Sequence, residues 1–252
     1  MRYLVLSDIH ANLTALEAVI EDAANVHYDA VISLGDVVGY GNRPEECVQL
    51  LKELRPVVTL LGNHDALLLE QSGRPDRAGN GNGIVEQVIR RHRSLLSDDS
   101  LQFMRRFQPG FAGGNWQAVH GALREPWEYI DTLAAAQANA PWLSRDVCLF
   151  GHTHVPTVYA SMKVDGEDMW RTVPLRSERC GYRIAPRVRA FFNPGSVGQP
   201  RDGSPLASYG IFDNDQRTVE VRRVPWDVAA VQQLMEREGY PEVLIDRLEH
   251  GY

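Results

Sequence analysis

Tyr3-Leu-Val-Leu6 is a short hydrophobic run that ends at Ser7-Asp8-Ile-His10, so that a carboxylate and an imidazole directly follow a predicted strand. A helix is predicted from Leu13 to Ala24, where apolar residues recur at helical spacing. The next apolar run, Ala30 to Leu34, ends at Gly35-Asp36. This alternation of strands and helices predicts an α/β fold with a parallel sheet, in which ligand groups lie at the carboxyl ends of the strands.

Three further hydrophobic runs end in the same way, and a predicted helix from Pro44 to Leu54 precedes the first of them. Val57 to Leu61 leads into Gly62-Asn63-His64-Asp65, Trp116 to Val119 into His120, and Val147 to Phe150 into Gly151-His152-Thr153-His154. The five motifs together supply carboxylate oxygen, amide oxygen and imidazole nitrogen. These are ligands for two divalent or trivalent ions, and such a pair of ions promotes in-line displacement at phosphorus.

The spacing inside the motifs suggests how the ligands converge. Asp8 and His10 are two residues apart at a strand end, which predicts that both side chains project to the same side, and the pair His152 and His154 repeats this pattern. Asp36 has two carboxylate oxygens and can bridge two cations. The adjacent Asp65 is predicted to orient His64, as carboxylates often do for histidines.

The order of the motifs resembles the calcineurin-like metallophosphoesterase superfamily, whose signature runs Asp-x-His, Gly-Asp, Gly-Asn-His-Asp/Glu, a His and then Gly-His-x-His. Gly35-Asp-Val-Val-Gly-Tyr-Gly41 and Asn193-Pro-Gly-Ser-Val-Gly198 are most similar to the small bacterial phosphodiesterases of the YfcE type. The resemblance implies a four-layer α-β-β-α sandwich of two mixed sheets flanked by helices. With no linker or repeat in sight, we expect one domain over residues 1–252, with a motif core to about 213 and a hairpin and helices over 214–252.

The resemblance also implies a ligand set and a mechanism. One ion would be held by Asp8, His10, Asp36 and His154, and the other by Asp36, Asn63, His120 and His152. The hypothesis is that a hydroxide between the ions attacks phosphorus while His64, supported by Asp65, donates a proton to the leaving oxygen. Manganese, iron or zinc would suit these mixed oxygen and nitrogen ligands. The expected activity is hydrolysis of a small or nucleotide-like phosphodiester, and monoesters are a further possibility.

Several residues are candidates for substrate binding. Asn63 and His64 are expected to contact the substrate, and Ser196 and Arg201 are further candidates. Asn12 has two open interpretations, either as a substrate contact or as the N-cap of the helix that follows. The arginines between Arg171 and Arg189 are interpreted as a solvated hairpin face, with substrate recognition as the alternative.

Two other functions remain as alternatives. Dinucleoside polyphosphatases and protein phosphatases of the superfamily carry an Arg after the second motif, and the matching stretch Gly39-Tyr40-Gly41 lacks it. A non-catalytic protein-binding scaffold would be expected to have lost ligands, whereas this chain keeps them all. Ala11 stands where Gly is usual, a change expected to be tolerated.

Composition limits the partners. A formal net charge of -7 over 252 residues provides no global basic field, so we expect no stable nucleic-acid complex. The three cysteines form no spaced framework, which is typical of reduced thiols in a cytoplasmic protein. No segment is long and apolar enough to predict a membrane span. The oligomeric state stays open.

Overall fold

The computed structural model describes residues 1–69, 83–164 and 167–252. The stretch 73–83, rich in Gly, Arg, Asp and Asn, predicts a surface loop, which apart from Gly83 lies outside these ranges. The strands are β1 (Arg2–Leu6), β2 (Ala30–Ser33), β3 (Val58–Thr59), β4 (Gly110–Gly113), β5 (Trp116–Val119), β6 (Val147–Leu149), β7 (Thr157–Val164), β8 (Glu167–Pro174), β9 (Arg179–Arg183), β10 (Ala190–Asn193), β11 (Ala207–Asp213) and β12 (Thr218–Val224). The helices are α1 (Leu13–Ala23), α2 (Pro44–Glu53), α3 (Asn63–Leu68), α4 (Ile84–Leu95), α5 (Asp98–Met104), α6 (Leu133–Asn139), α7 (Val228–Arg237) and α8 (Glu242–His250).

The strands form two mixed sheets. The first has the order β3-β2-β1-β11-β12-β9, and the second has the order β4-β5-β6-β10-β7-β8. In the first sheet β1, β2 and β3 are parallel, while β11 runs antiparallel to β1. In the second sheet β5, β6 and β10 are parallel. All of these parallel strands except β10 lead into one of the five motifs.

Alternating side chains of β1 show how the layers stack. Tyr3 and Val5 face the second sheet, and the Tyr3 ring lies 5.3 Å from the ring of Trp116 between their centroids. Leu4 and Leu6 point the other way, into a core shared with α1 and α2. Apolar side chains on the outer face of the second sheet pack against α6. Helices thus flank both sheets, which confirms the predicted four-layer α-β-β-α arrangement.

Five elements differ from the sequence-based expectation. The strand predicted from Val57 to Leu61 is reduced to the two residues of β3, followed by a single bridge at Leu60. The helices α3 and α6, the strand β4 and the edge strand β9 were not predicted. In β9 the arginines at positions 179 and 183 are exposed, as expected for a solvated face.

The remaining expectations concern cysteines and the membrane. Cys47 is buried in α2, Cys148 is buried in β6, and both are free thiols, as is the partly exposed Cys180. Burial raises the pKa of Cys148, which keeps its thiol protonated and unreactive. Within the described part of the chain, every helix is too short or too polar to cross a bilayer.

Candidate metal centre

The predicted ligands leave their strands through left-handed turns. Asp8, His10, Asp36, His152 and His154 have φ values of 53°, 50°, 55°, 66° and 60°. Asp8 and His10 do meet in one ligand group, but not by strand alternation, since the backbone there is no longer extended, and His152 and His154 enter different groups. A left-handed residue other than glycine costs about 1–3 kcal/mol and is typically retained where function requires it.

Main-chain hydrogen bonds hold these turns in place. The N–H of Asp8 donates to the carbonyl of Gly35 at 3.0 Å, and the N–H of His10 donates to the carbonyl of Asp36 at 3.0 Å. From the other side, the N–H of Gly198 donates to the carbonyl of Asp8 at 3.0 Å. Three loops that are distant in sequence are thereby joined into one rigid frame.

The first ligand group consists of Asp8, His10 and His154, whose ligand atoms all lie within 4.8 Å of one another. Nε2 of His154 is 3.2 Å from Oδ1 of Asp8, and Nε2 of His10 is 3.9 Å from the same oxygen. All three side chains are buried. The group has the size and the donor types of a metal site.

The second ligand group consists of Asp36, His120 and His152, again within 4.8 Å. Nε2 of His120 lies 3.4 Å from Oδ2 of Asp36 and 3.2 Å from Oδ1 of Asn63. Oδ2 of Asp36 is also 3.7 Å from Nε2 of His10, a member of the first group. The Asp36 carboxylate therefore lies between the two groups, as a shared ligand would.

Backbone carbonyl groups orient all four imidazoles. A carbonyl oxygen can only accept a hydrogen bond, so the ring nitrogen beside it must carry the proton. The contacts are Nδ1 of His10 to Val38 (3.0 Å), Nδ1 of His120 to Leu34 (2.8 Å), Nδ1 of His154 to Gln199 (2.5 Å) and Nε2 of His152 to Trp127 (3.2 Å). The other nitrogen of each neutral ring keeps its lone pair, which is how metal-bound histidines are held in proteins.

Two features of the first group fit a bound cation. Nε2 of His10 and Nε2 of His154 are 3.1 Å apart, and both lone pairs face the same point because the Nδ1 atoms are the donors. Oδ1 of Asp8 is buried and accepts no hydrogen bond within the described residues. A cation would satisfy all three atoms, so the residues present suit a metal ion.

The charges of the cluster are strongly coupled. Burial opposes ionisation of Asp36, but His120 and His64 bring its pKa below the ordinary value. Burial likewise opposes a charge on His120, yet the Asp36 carboxylate raises the pKa of His120 to about 9. At His152 burial prevails and lowers the pKa to about 3. Burial and the nearby Arg201 lower the pKa of His154, which favours the neutral ring that binds metal.

His64 lies beside both ligand groups and offers a ring nitrogen within 4.8 Å of the ligand atoms of His10 and Asp36. Its ring packs edge-on against His10, with centroids 4.9 Å apart, and tilts against the ring of Tyr40 at 4.6 Å. Gly39, at φ +96°, leaves room for it, because a Cβ there would lie 2.5 Å from Nδ1 of His64. The backbone N–H of His64 donates to Oδ1 of Asp36 at 2.9 Å, so α3 begins at the shared carboxylate.

Asp65 does not orient the His64 ring, contrary to the prediction. Its carboxylate accepts the backbone N–H groups of Asp36 (2.8 Å), Val37 (3.0 Å), Val38 (3.3 Å) and Gly62 (3.1 Å). Both oxygens are used in fixing the loop after β2 to the start of α3. Asp65 therefore positions Asp36 through the main chain, and His64 only through the helix that both residues share.

Three of the predicted substrate contacts lie in different environments. Asn12 is the N-cap of α1, with Oδ1 accepting from the N–H of Ala15 and Nδ2 donating to the carbonyl of Gly198. The N-cap interpretation is therefore confirmed, while the substrate contact stays a prediction. Ser196 is fully buried and donates to the carbonyl of Asp8 at 2.8 Å, which makes it a support of the first group. Only Arg201 is half-buried next to the centre.

Several neighbours of the centre were not predicted. His92 fits no motif, and the sequence therefore predicts a surface position, but the residue is fully buried, where its ring bonds the N–H of Gly39 at 3.2 Å and the carbonyl of Gly41 at 2.8 Å. On the opposite side, the ring of Tyr129 stacks on His152 with centroids 4.1 Å apart. A lone histidine in an amphipathic helix and a tyrosine in a loop carry no sequence signal of such contacts.

Comparison with known proteins agrees with this geometry. The model of the calcineurin-like phosphoesterase superfamily domain matches residues 1–217. The chain is 31% identical over 253 residues to the uncharacterized protein MJ0912 of Methanocaldococcus jannaschii, covering 98% of this chain and 97% of that one. It is 27% identical over 228 residues to phosphodiesterase YfcE of Escherichia coli K12, covering 87% and 91%. The crystal structure of a metallophosphoesterase from Sphaerobacter thermophilus aligns with a TM-score of 0.84 at 37% identity, covering 100% and 99%.

The chain therefore belongs to the calcineurin-like phosphoesterase superfamily. It is a phosphoric ester hydrolase related to the YfcE phosphodiesterases, and the resemblance seen in the motifs is confirmed. The family depends on metal ions, and the clustered Asp and His side chains are the groups that can bind them.

Proposed function

We propose that this protein is a phosphodiesterase with two metal ions, acting on a small or nucleotide-like substrate. The observation that carries the proposal is the position of the Asp36 carboxylate between two groups of carbonyl-oriented imidazoles. The relationship to phosphodiesterase YfcE over 87% of the chain supports a diester rather than another phosphate compound.

The residues divide into two ligand sets that share Asp36. Asp8, His10 and His154 would complete the first, and Asn63, His120 and His152 the second. When bound, the ions would lower the pKa of a water molecule toward neutrality and neutralise charge on the phosphoryl oxygens. The oxygen and nitrogen donors suit manganese, iron or zinc.

The protein's own contribution to the reaction is position and proton transfer. Backbone carbonyls hold one protonated ring nitrogen of each of the four imidazoles, which turns the other nitrogen toward the cluster, and Ser196 and Asp65 fix the main chain at Asp8 and Asp36. His64 lies against His10 at the edge of the cluster, and its ring would donate a proton to the departing ester oxygen. Arg201, tied to His154 through the main chain, would face the bound substrate from that side.

Removal and return of metal tests the proposal. The protein is stripped with a chelator, then given manganese, iron or zinc separately, and assayed on an aryl diester, an aryl monoester, a cyclic nucleotide, a dinucleoside polyphosphate and a phosphopeptide. We expect diester hydrolysis to disappear and then return with at least one metal. Turnover that survives metal removal would contradict the metal centre, and restored turnover confined to monoesters or phosphopeptides would contradict the diesterase assignment.

A substitution at His64 tests the proton-transfer step. General acid catalysis typically contributes about 10²–10⁴-fold. His64→Ala should lose a factor in this range on a diester with an alkyl leaving group and much less on a nitrophenyl ester, which needs no proton. Metal content, measured by mass spectrometry, should stay at the wild-type level.

The matched control is His27→Ala, because the His27 side chain is 75% exposed and lies outside the cluster. Equal losses on both leaving groups in His64→Ala, with the metals retained, would remove His64 from the role of acid.

A further inference from the structure

Arg201 brings a guanidinium to the edge of the first ligand group. Its backbone N–H donates to the carbonyl of His154 at 3.3 Å, which ties the residue to a predicted ligand. One terminal nitrogen donates to the hydroxyl of Tyr40 at 3.3 Å and to Oε1 of Gln199 at 3.2 Å, and the side chain also hydrogen-bonds Tyr129. All these side-chain partners are neutral, and Nε is buried with no hydrogen-bond partner within the described residues.

A second arginine reaches the same place from the C-terminal helix. The guanidinium carbon of Arg247 lies 5.5 Å from the centre of the Tyr40 ring, and that of Arg201 lies 5.8 Å from it. Leu244 and Leu248 of α8 share a narrow cavity with Tyr40 and His10, so packing of the helix places Arg247 beside the centre. Both arginines are half-buried, which leaves part of each side chain accessible.

Within the described residues the two positive charges lack Asp and Glu partners of their own, although Nε of Arg247 donates to the main-chain oxygen of Tyr252 at 2.9 Å. In the described part of the chain, no Asp or Glu side chain forms an ion pair with either arginine, whereas other partly buried arginines, such as Arg222 and Arg223, do have such partners. The acid that acts on Arg201 is Asp8, which belongs to the first ligand group. Burial and the neighbouring Arg201 lower the pKa of Arg247, as expected for like charges held close together.

We propose that Arg201 and Arg247, called here the arginine pair, form a subsite for a second anionic group of the substrate, one that is not hydrolysed. Guanidinium groups bind phosphate through paired, charge-assisted hydrogen bonds, so a phosphate group is the chemistry that fits best. This inference rests on the proposed function and narrows it: the preferred substrates are phosphodiesters that carry a further phosphate near the scissile one.

A matched set of substrates tests the subsite. Each is a 4-nitrophenyl phosphodiester with the same scissile bond, and the second ester group is either a plain alkyl chain or the same chain ending in a phosphonate, with chains of two, four and six carbons. The metal-loaded wild-type enzyme should prefer the phosphonate form of at least one length by about tenfold or more in kcat/KM, the size expected for one charge-assisted contact.

Substitutions assign that preference to the pair. In Arg247→Gln the ratio of kcat/KM for the phosphonate substrate to kcat/KM for the alkyl substrate should fall at least fivefold. Arg247→Lys keeps the charge but loses the paired geometry, so its ratio should lie between those of the wild type and Arg247→Gln. Arg237→Gln is the control, since it removes an exposed arginine from the neighbouring helix α7 and should leave the ratio unchanged. Thermal melting identifies any variant that fails to fold. If Arg247→Gln does not fold, the comparison is made between the wild type and Arg247→Lys.

A binding measurement separates this inference from the proposed function. Calorimetry on the metal-loaded protein compares an alkyl phosphonate with an alkylene bisphosphonate, neither of which needs to be turned over. Tighter binding of the bisphosphonate in the wild type, lost in Arg247→Gln, supports the subsite even if diesters prove to be poor substrates. Metal-dependent hydrolysis of the plain alkyl diester, with no phosphonate preference at any chain length, would support the diesterase assignment and contradict the subsite.

Discussion

The metal centre and the arginine pair lie side by side but are built in different ways. Every predicted ligand of the centre is buried, and all but Asn63, which begins α3, come from a loop directly after a strand. The arginine pair is half-buried, and Arg247 comes from a helix that lies beyond the residues matched by the family model. The comparison suggests that the fold itself provides the reaction chemistry, whereas substrate preference depends on an added element that can vary without disturbing the centre.

The largest effect is expected at Gly198, whose loop is hydrogen-bonded to the loop that holds Asp8 and His10. A Cβ added to Gly198 would lie 1.8 Å from the carbonyl oxygen of Ile9, between the predicted ligands Asp8 and His10. Overpacking usually costs about 1–3 kcal/mol, and a contact with rigid backbone belongs at the upper end. Gly198→Ala should therefore lower the free energy of unfolding by about 3 kcal/mol and weaken metal binding, as measured by denaturant titration and calorimetry.

Gly110→Ala in β4 is the control, because a Cβ there would meet its nearest atom at an ordinary 3.4 Å. If Gly198→Ala were as stable as this control and bound metal normally, the loop beside Asp8 would not be the rigid frame described here.

A smaller effect is expected at His92, which supports the loop between the two regions. Burial lowers the pKa of His92 to about 4, below the value of about 6.5 for an unfolded histidine. The folded state thus favours the neutral ring. The contribution of this ring to the free energy of unfolding is fully present above pH 6.5 and is lost as the pH falls toward 4. Between pH 7.5 and 4.5 the wild type should lose roughly 2 kcal/mol more unfolding free energy than His92→Gln.

Denaturant titration of both proteins at the two pH values measures this difference. His27→Gln, which removes an exposed histidine, is the matched control. Parallel losses in the wild type and in His92→Gln would show that the buried ring does not contribute to acid sensitivity.

The smallest effect belongs to the arginine pair. The tenfold preference expected from it corresponds to about 1.4 kcal/mol. Substitution of the pair should change the preference for the phosphonate substrate and leave the metal content unchanged, whereas Gly198→Ala should change both the preference and the metal content. A loss of metal in Arg247→Gln would mean that the two regions are not separable.

Much of the centre could be predicted because its ligands lie in short motifs directly after hydrophobic runs. What could not be predicted is how they converge. Asp8 and His10 meet through left-handed turns, and Asp65 binds the main chain around Asp36 and not the His64 ring. Such contacts depend on the exact path of the loops, and sequence periodicity contains no information on that path. The role of His92 was hidden for the same reason.

The fold followed the same pattern. Long periodic elements such as α1 and α2 were predicted within a few residues, because packing on one face leaves a strong hydrophobic signal. The short helix α3 was hidden inside the motif that begins at Gly62, although Asp65 at its third position is a recognisable capping residue. The edge strand β9 is half-exposed and rich in arginine, and only pairing with β12 makes it a strand.

The central claim is that the carboxylate of Asp36 joins two metal ions. Anomalous scattering from crystals loaded with manganese tests it most directly. We expect two peaks about 3.5–4 Å apart, both within bonding distance of Asp36, one beside Asp8, His10 and His154 and the other beside Asn63, His120 and His152. A single peak, or two peaks that Asp36 does not touch, would contradict the claim.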